Sequence, residues 1–140
     1  MKKKLNLILL IDDDYPTTCF NEMMIEDEQV TDQIKAIQNA SDALDYLKTC
    51  GSQEGANQAP DLIFLDINMP AMNGWEFLDE YVKLPQHQKE SIVVVMLTAS
   101  PNPDDEKKAE SIPCVSGFLN KPLTPPQLHE ILREHFVEHS

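Results

Sequence analysis

Four short apolar runs punctuate the chain: Leu7 to Ile11, Leu62 to Leu65, Ile92 to Leu97 and Val115 to Leu119. The first three are uninterrupted, which is the pattern of strands covered on both faces. A further strand is expected at Gln33 to Gln38, and amphipathic stretches separate all five. Five alternations of strand-like and helix-like pattern predict βαβ units with crossover helices, and therefore an α/β domain built on a parallel sheet.

The helical segments carry their own start and stop signals. A first helix follows Asp14-Tyr15-Pro16, where proline suits the opening turn, and Cys19, Phe20, Met23 and Met24 make an apolar stripe expected to face the core. A second helix is expected to begin at Ser41, to bury Ala40, Ala43, Leu44 and Leu47, and to end near Gly51, with residues 51 to 60 a mobile loop. Asn73 and Glu76 form a capping-box pattern for a third helix that turns Gly74, Phe77, Leu78 and Tyr81 inward and ends at Pro85. A fourth opens at Asn102-Pro103, with Asp104, Asp105 and Glu106 in its first turn and Lys107 and Lys108 after them, as the helix dipole favours. It is short and polar, so it is expected to be the most mobile helix. Thr124 and Gln127 form a second capping box, opening a last helix that buries Leu128, Ile131, Leu132 and Phe136.

Composition narrows the class. At 140 residues and 41% hydrophobic, the chain suits one compact domain with a real core. A formal charge of −13 argues against a nucleic-acid-binding face, which needs clustered Lys and Arg to neutralise phosphates. Lys2-Lys3-Lys4 before an apolar run imitates a signal peptide, but the run is interrupted by Asn6 and enters three aspartates with no small-residue cleavage site. No run approaches the ~18 apolar residues of a membrane span, so a soluble, cytoplasmic protein is expected. Three widely spaced cysteines, Cys19, Cys50 and Cys114, suggest neither a disulfide framework nor a zinc site and read as reduced thiols.

The strand endings carry the chemistry. The runs stop at Asp12-Asp13-Asp14, at Asp66, at Thr98 and at Lys121. Ligands of open parallel α/β sheets bind at the carboxyl ends of the strands, so these endings imply one shared pocket. Carboxylates about 4 Å apart repel by roughly 4 kcal/mol per pair at an effective dielectric near 20. A cation is therefore needed, and magnesium suits a few carboxylates while leaving room for a phosphate oxygen. Lys121 offers a compact positive charge and Thr98 a hydroxyl donor. Such groups around one carboxylate suit phosphoryl transfer, with Asp66 as nucleophile.

In I-D-D-D at 11 to 14, L-D-I-N-M-P-A-M-N-G at 65 to 74, T-A-S at 98 to 100 and K-P at 121 to 122, the chain resembles a stand-alone response-regulator receiver domain of two-component signalling. The resemblance covers essentially the whole chain. It implies a single flavodoxin-like domain over residues 1–140 with no output domain. Its sheet would be five-stranded and parallel, in the order 2-1-3-4-5, with five helices on both faces. It further implies that Asp66 is the phosphoacceptor, that Asp12 and Asp13 are the acidic pair, and that a magnesium ion is held by Asp13, Asp66 and the backbone carbonyl of Asn68. Thr98 and Lys121 would bind the phosphoryl group. A cis bond at Lys121-Pro122 and an aromatic switch at Phe118, coupled to Thr98, are implied as well.

Several features depart from that pattern or stay open. The triple aspartate leaves the acidic pair at Asp12/Asp13 or Asp13/Asp14; the first is chosen because it directly follows the strand, leaving Asp14 as a cap or a third acid. The switch aromatic is Phe rather than the common Tyr. Asn68 and Ser100 occupy positions that tune dephosphorylation in the family. His135 and His139 are spaced i, i+4 but read as solvated surface, and Trp75, close to Asp66, is either a reporter of the site or simple packing.

The expected partners are a sensor histidine kinase or phosphotransfer protein and a downstream protein, with a homodimer through the last helices compatible with the pattern; no nucleic acid, membrane or external substrate is expected. Competing readings are an interaction module that is never phosphorylated, a flavodoxin-like cofactor binder, and an aspartyl phosphatase of the haloacid dehalogenase type. The last needs a second acid two residues after its nucleophile, where this chain has Asn68.

Overall fold

The computed structural model describes residues 5–49, 60–67, 69, 72–84, 92–99, 102–121 and 123–136. Five strands, β1 (Leu5–Ile11), β2 (Thr31–Ile37), β3 (Leu62–Asp66), β4 (Val93–Thr98) and β5 (Val115–Asn120), form one parallel sheet in the order β2-β1-β3-β4-β5. Five helices connect or follow them: α1 (Tyr15–Glu28), α2 (Ala40–Lys48), α3 (Gly74–Tyr81), α4 (Pro103–Glu110) and α5 (Pro125–His135). Among the described residues no helix is long and apolar enough to cross a membrane.

The apolar residues of β1, β3 and β4 alternate between two cores. Leu9, Ile11, Ile63, Leu65, Val94 and Met96 pack with α2, α3 and Ala109 of α4 on one face. Leu5, Ile8, Leu10, Leu62, Phe64, Val95 and Leu97 pack with α1 and α5 on the other. Burial on both faces is why these strands read as unbroken apolar runs.

Capping chemistry sets the helix starts. Asn73 and Glu76 close a reciprocal box at α3, Thr124 and Gln127 close another at α5, and the Asn102 side chain accepts from the Asp104 N–H at 2.9 Å to start α4. At α2 the cap is Asn39, whose Oδ1 accepts from the Asp42 N–H at 2.7 Å, so the helix starts at Ala40 rather than Ser41. It ends at Lys48 with Thr49 as cap, before the expected Gly51. Likewise α3 ends at Tyr81, four residues ahead of Pro85, in a turn where the Lys83 and Leu84 N–H groups bond back to Glu80 and Tyr81. Strand β2 spans Thr31–Ile37, not Gln33 to Gln38, because its pairing with β1 begins at Leu5 opposite Thr31. Gly51, Pro85 and residues 51 to 59 of the loop expected at 51 to 60 lie outside the described residues.

The expected face of α1 is corrected. Phe20 and Met23 are 55% and 66% exposed, Cys19 is half-buried, and of the predicted stripe only Met24 is buried. The inward residues are Thr18, Asn21, Met24 and Ile25. Two of these are polar, and Thr18 is accommodated because its hydroxyl donates to the Asp14 carbonyl at 3.0 Å. Hydropathy spacing alone therefore pointed to the wrong side of the cylinder. Neither Cys19 nor Cys114 is in a disulfide.

Candidate functional site

Strand register assembles the site. Ile11 is level with Leu65, which sets Asp12 beside Asp66; Asp66 is level with Leu97, so Thr98 extends one residue further. Thr98 is in turn level with Asn120, and Lys121 follows. The four endings thus lie along one rim of the sheet. The backbone closes it: the Lys121 N–H donates to the Thr98 carbonyl at 2.7 Å, and the Ile67 N–H to the Leu97 carbonyl at 3.2 Å.

Carboxylate oxygens of Asp12, Asp13 and Asp66 lie within 4.8 Å of one another. Asp12 and Asp66 are buried, each side chain 5% exposed, whereas Asp13 opens to solvent. The Lys121 ammonium lies 2.8 Å from Asp12 Oδ2 and 3.1 Å from Asp66 Oδ1, so a single cation spans both buried acids. Burial opposes its charge, but the hydrogen bonds and charges of Asp12 and Asp66 outweigh that cost and raise its pKa above the ordinary lysine value.

The third aspartate has a different task. Asp14 caps α1, its Oδ2 accepting from the Thr17 N–H at 3.2 Å and from the Thr17 hydroxyl. The Asp14 N–H donates to Asp12 Oδ1 at 2.9 Å, which helps fix the buried acid. The acids brought together are therefore Asp12, Asp13 and Asp66, with Asp14 turned to the helix terminus. Three hard carboxylates around one point are a donor set that suits magnesium.

Thr98 is buried at the end of β4. Phe118 is half-buried on β5, level with Met96, and packs on the core formed with α2, α3 and α4. It also lines a cavity of about 280 Å³ with Glu106, Ala109 and Glu110 of α4. Asn68, Ser100, Pro122 and His139 fall outside the described residues, so the expected carbonyl ligand, the rate-tuning pair, the cis bond and the histidine pair do too. His135 is half-buried, 3.7 Å from Glu134.

Gly74 is a site residue whose role its sequence context does not reveal. A Cβ there would stand 2.9 Å from the Asp66 carbonyl oxygen and 3.0 Å from Ile67 Cα, and the Gly74 N–H donates to the Ile67 carbonyl at 2.8 Å. The start of α3 is thus seated directly on the backbone that follows Asp66. The signals available were a glycine closing the L-D-I-N-M-P-A-M-N-G motif on the inward face and its place at a helix start, where a better helix former costs less.

A family model, the response regulator receiver domain, matches residues 8–133. The structure of a two-component response regulator from Cytophaga hutchinsonii is similar, with a TM-score of 0.84 at 30% identity, covering 96% of this chain and 99% of that one. A response regulator receiver protein from Dyadobacter fermentans gives a TM-score of 0.82 at 28% identity, covering 93% and 97%. A 14.6 kDa protein from the sodA1 3′ region of Leptolyngbya boryana is 30% identical over 131 residues, 91% of this chain and 88% of its own length.

Proposed function

The chain belongs to the response regulator receiver domain family of two-component signalling, and from that premise we propose that Asp66 accepts a phosphoryl group from a sensor histidine kinase or phosphotransfer protein. The observation that carries this reading is the Lys121 ammonium held between Asp12 and Asp66 beside a three-carboxylate cluster. Buried acids so close together need positive charge, and an oxyanion arriving at Asp66 would find it there.

In the proposed reaction a carboxylate oxygen of Asp66 attacks the donor's phosphorus. The P–N bond to the donor imidazole breaks, its electron pair returns to the ring nitrogen, and an acyl phosphate remains on Asp66. Asp12, Asp13 and Asp66, with Asn68 contributing a carbonyl, would hold magnesium, which when bound neutralises charge at the cluster and on the phosphoryl oxygens. Lys121 would exchange its contact with Asp66 for a phosphoryl oxygen, and the Thr98 hydroxyl would donate to another. Movement of Thr98 toward that group would let Phe118 turn inward and reshape the surface beside α4. The 140 residues would act as one cytoplasmic receiver unit that signals by changing its affinity for a downstream protein or a second copy, not as an enzyme on an external substrate.

Intact mass after incubation with acetyl phosphate tests this, with and without magnesium, for the native chain and Asp66→Asn. We expect one magnesium-dependent phosphoryl adduct that is absent from the variant. A folded native chain without adduct would favour the unphosphorylated interaction module; an adduct persisting in Asp66→Asn would move the acceptor elsewhere.

A further inference from the structure

The helix α4 is held by little. Ala109 is its single buried residue, and the rest of its face toward the protein is polar or half-buried. One specific contact supplements that attachment: Lys108 Nζ lies 4.6 Å from the centroid of the Trp75 ring, a cation–π geometry. Trp75 is half-buried on the same core as Ala109. It follows Gly74, whose N–H is bonded to the Ile67 carbonyl and which stands so near the Asp66 backbone that a Cβ would lie 2.9 Å from the Asp66 carbonyl oxygen. A two-residue step therefore links the backbone at Asp66 to the indole that α4 grips.

We propose that the Trp75–Lys108 contact is a latch that holds α4 in its resting position and opens when Asp66 gains a phosphoryl group. The inference rests on the reading of Asp66 as phosphoacceptor and adds to it the element that responds. A phosphoryl group brings a charge of about −2 to the site. The backbone at Asp66 and Ile67 adjusts to it, and because no Cβ separates Gly74 from that backbone, the displacement reaches Trp75. Without the indole beneath it Lys108 loses its partner, and Ala109 is left as the one buried anchor of α4. Glu106, Ala109 and Glu110 form the α4 side of the cavity that Phe118 borders, so release of the helix alters that surface. Helices with so few buried contacts sit at the low end of local stability, where one contact decides how often they open.

The test is amide exchange across residues 103–110 in the full chain, before and after acetyl phosphate and magnesium, with intact mass recorded on the same samples. In unmodified Lys108→Met, exchange in α4 is expected to quicken about two- to fivefold, the range implied by losing an exposed cation–π contact. Lys108→Arg, which keeps a cation over the ring, is expected to exchange like the native chain. The native chain is expected to approach the Lys108→Met rate once the adduct forms, with a change in Trp75 emission, and Lys108→Met is expected to form the adduct to the same extent. Native-like exchange in unmodified Lys108→Met would overturn the latch, as would an adduct on the native chain with α4 exchange unchanged. Absence of any adduct would overturn the phosphoacceptor reading and the proposed trigger with it, which distinguishes the two failures.

Discussion

The ammonium of Lys121 stands 2.8 Å from Oδ2 of Asp12, although 109 positions separate them in the chain. It also reaches Asp66 at 3.1 Å, so the last strand ending neutralises the first and the second at once. Lys121→Met should leave two buried carboxylates without their cation and lower stability by about 1–3 kcal/mol, the cost of an unsatisfied buried polar group. Denaturant unfolding reads this loss, and added magnesium should recover part of it; an unchanged midpoint would show that the lysine does not hold the acids.

Magnesium should also act on the native chain. If the cluster of Asp12, Asp13 and Asp66 binds it, an ion concentration ~100 times the dissociation constant stabilises the fold by roughly 2.7 kcal/mol. Asp13 is exposed, so Asp13→Asn should fold normally yet lose much of the magnesium-dependent rise in melting temperature. Equal rises in both proteins would remove Asp13 from the site.

Gly74→Ala places a Cβ 2.9 Å from the Asp66 carbonyl oxygen and 3.0 Å from Ile67 Cα. Both are backbone atoms that no rotamer change can move aside. The start of α3 must therefore shift, at a cost of about 1–3 kcal/mol typical of overpacking, and Asp66 must move with it. Slower adduct formation from acetyl phosphate is expected alongside the lower melting point; native rates would show that α3 and Asp66 are independently placed.

Burial of the Tyr81 phenol raises its pKa above the ordinary tyrosine value. The folded chain then keeps a proton that the unfolded chain loses above about pH 10, so this contribution is complete below that pH and declines as pH rises further. Tyr81→Phe should flatten the alkaline fall in stability and remove the last-titrating phenol from an absorbance titration. A wild-type titration in which all three tyrosines ionise together would contradict this.

The orientation of α1 separates two substitutions in one helix. Ile25→Ala empties a fully buried site and should cost about 2–5 kcal/mol, whereas Phe20→Ala on the exposed face should stay within about 0.5 kcal/mol of the native chain. Comparable losses from both would return Phe20 to the core.

Local sequence was sufficient wherever a feature depends on residues within a turn or a strand of one another. The capping boxes at Asn73 and Thr124, the cap at Asn102 and the uninterrupted apolar runs of β1, β3 and β4 are of this kind, because their partners lie two or three residues away or their burial affects every side chain in the run. The residue types at the strand ends likewise announced a charged pocket before its geometry was known. What the tertiary structure decided were choices among locally equivalent arrangements. Asp12, Asp13 and Asp14 are chemically identical, and the chain's turn into α1 makes the third a cap. The face of α1 was misread because apolar side chains occur on both sides of that helix, and contact with the sheet and α5 selects the side holding Thr18, Asn21 and Ile25. Gly74 against Asp66, and Lys108 over Trp75, are meetings between separate segments that no local pattern encodes. Spacing along a chain specifies which residues share a surface; only packing specifies which surfaces meet.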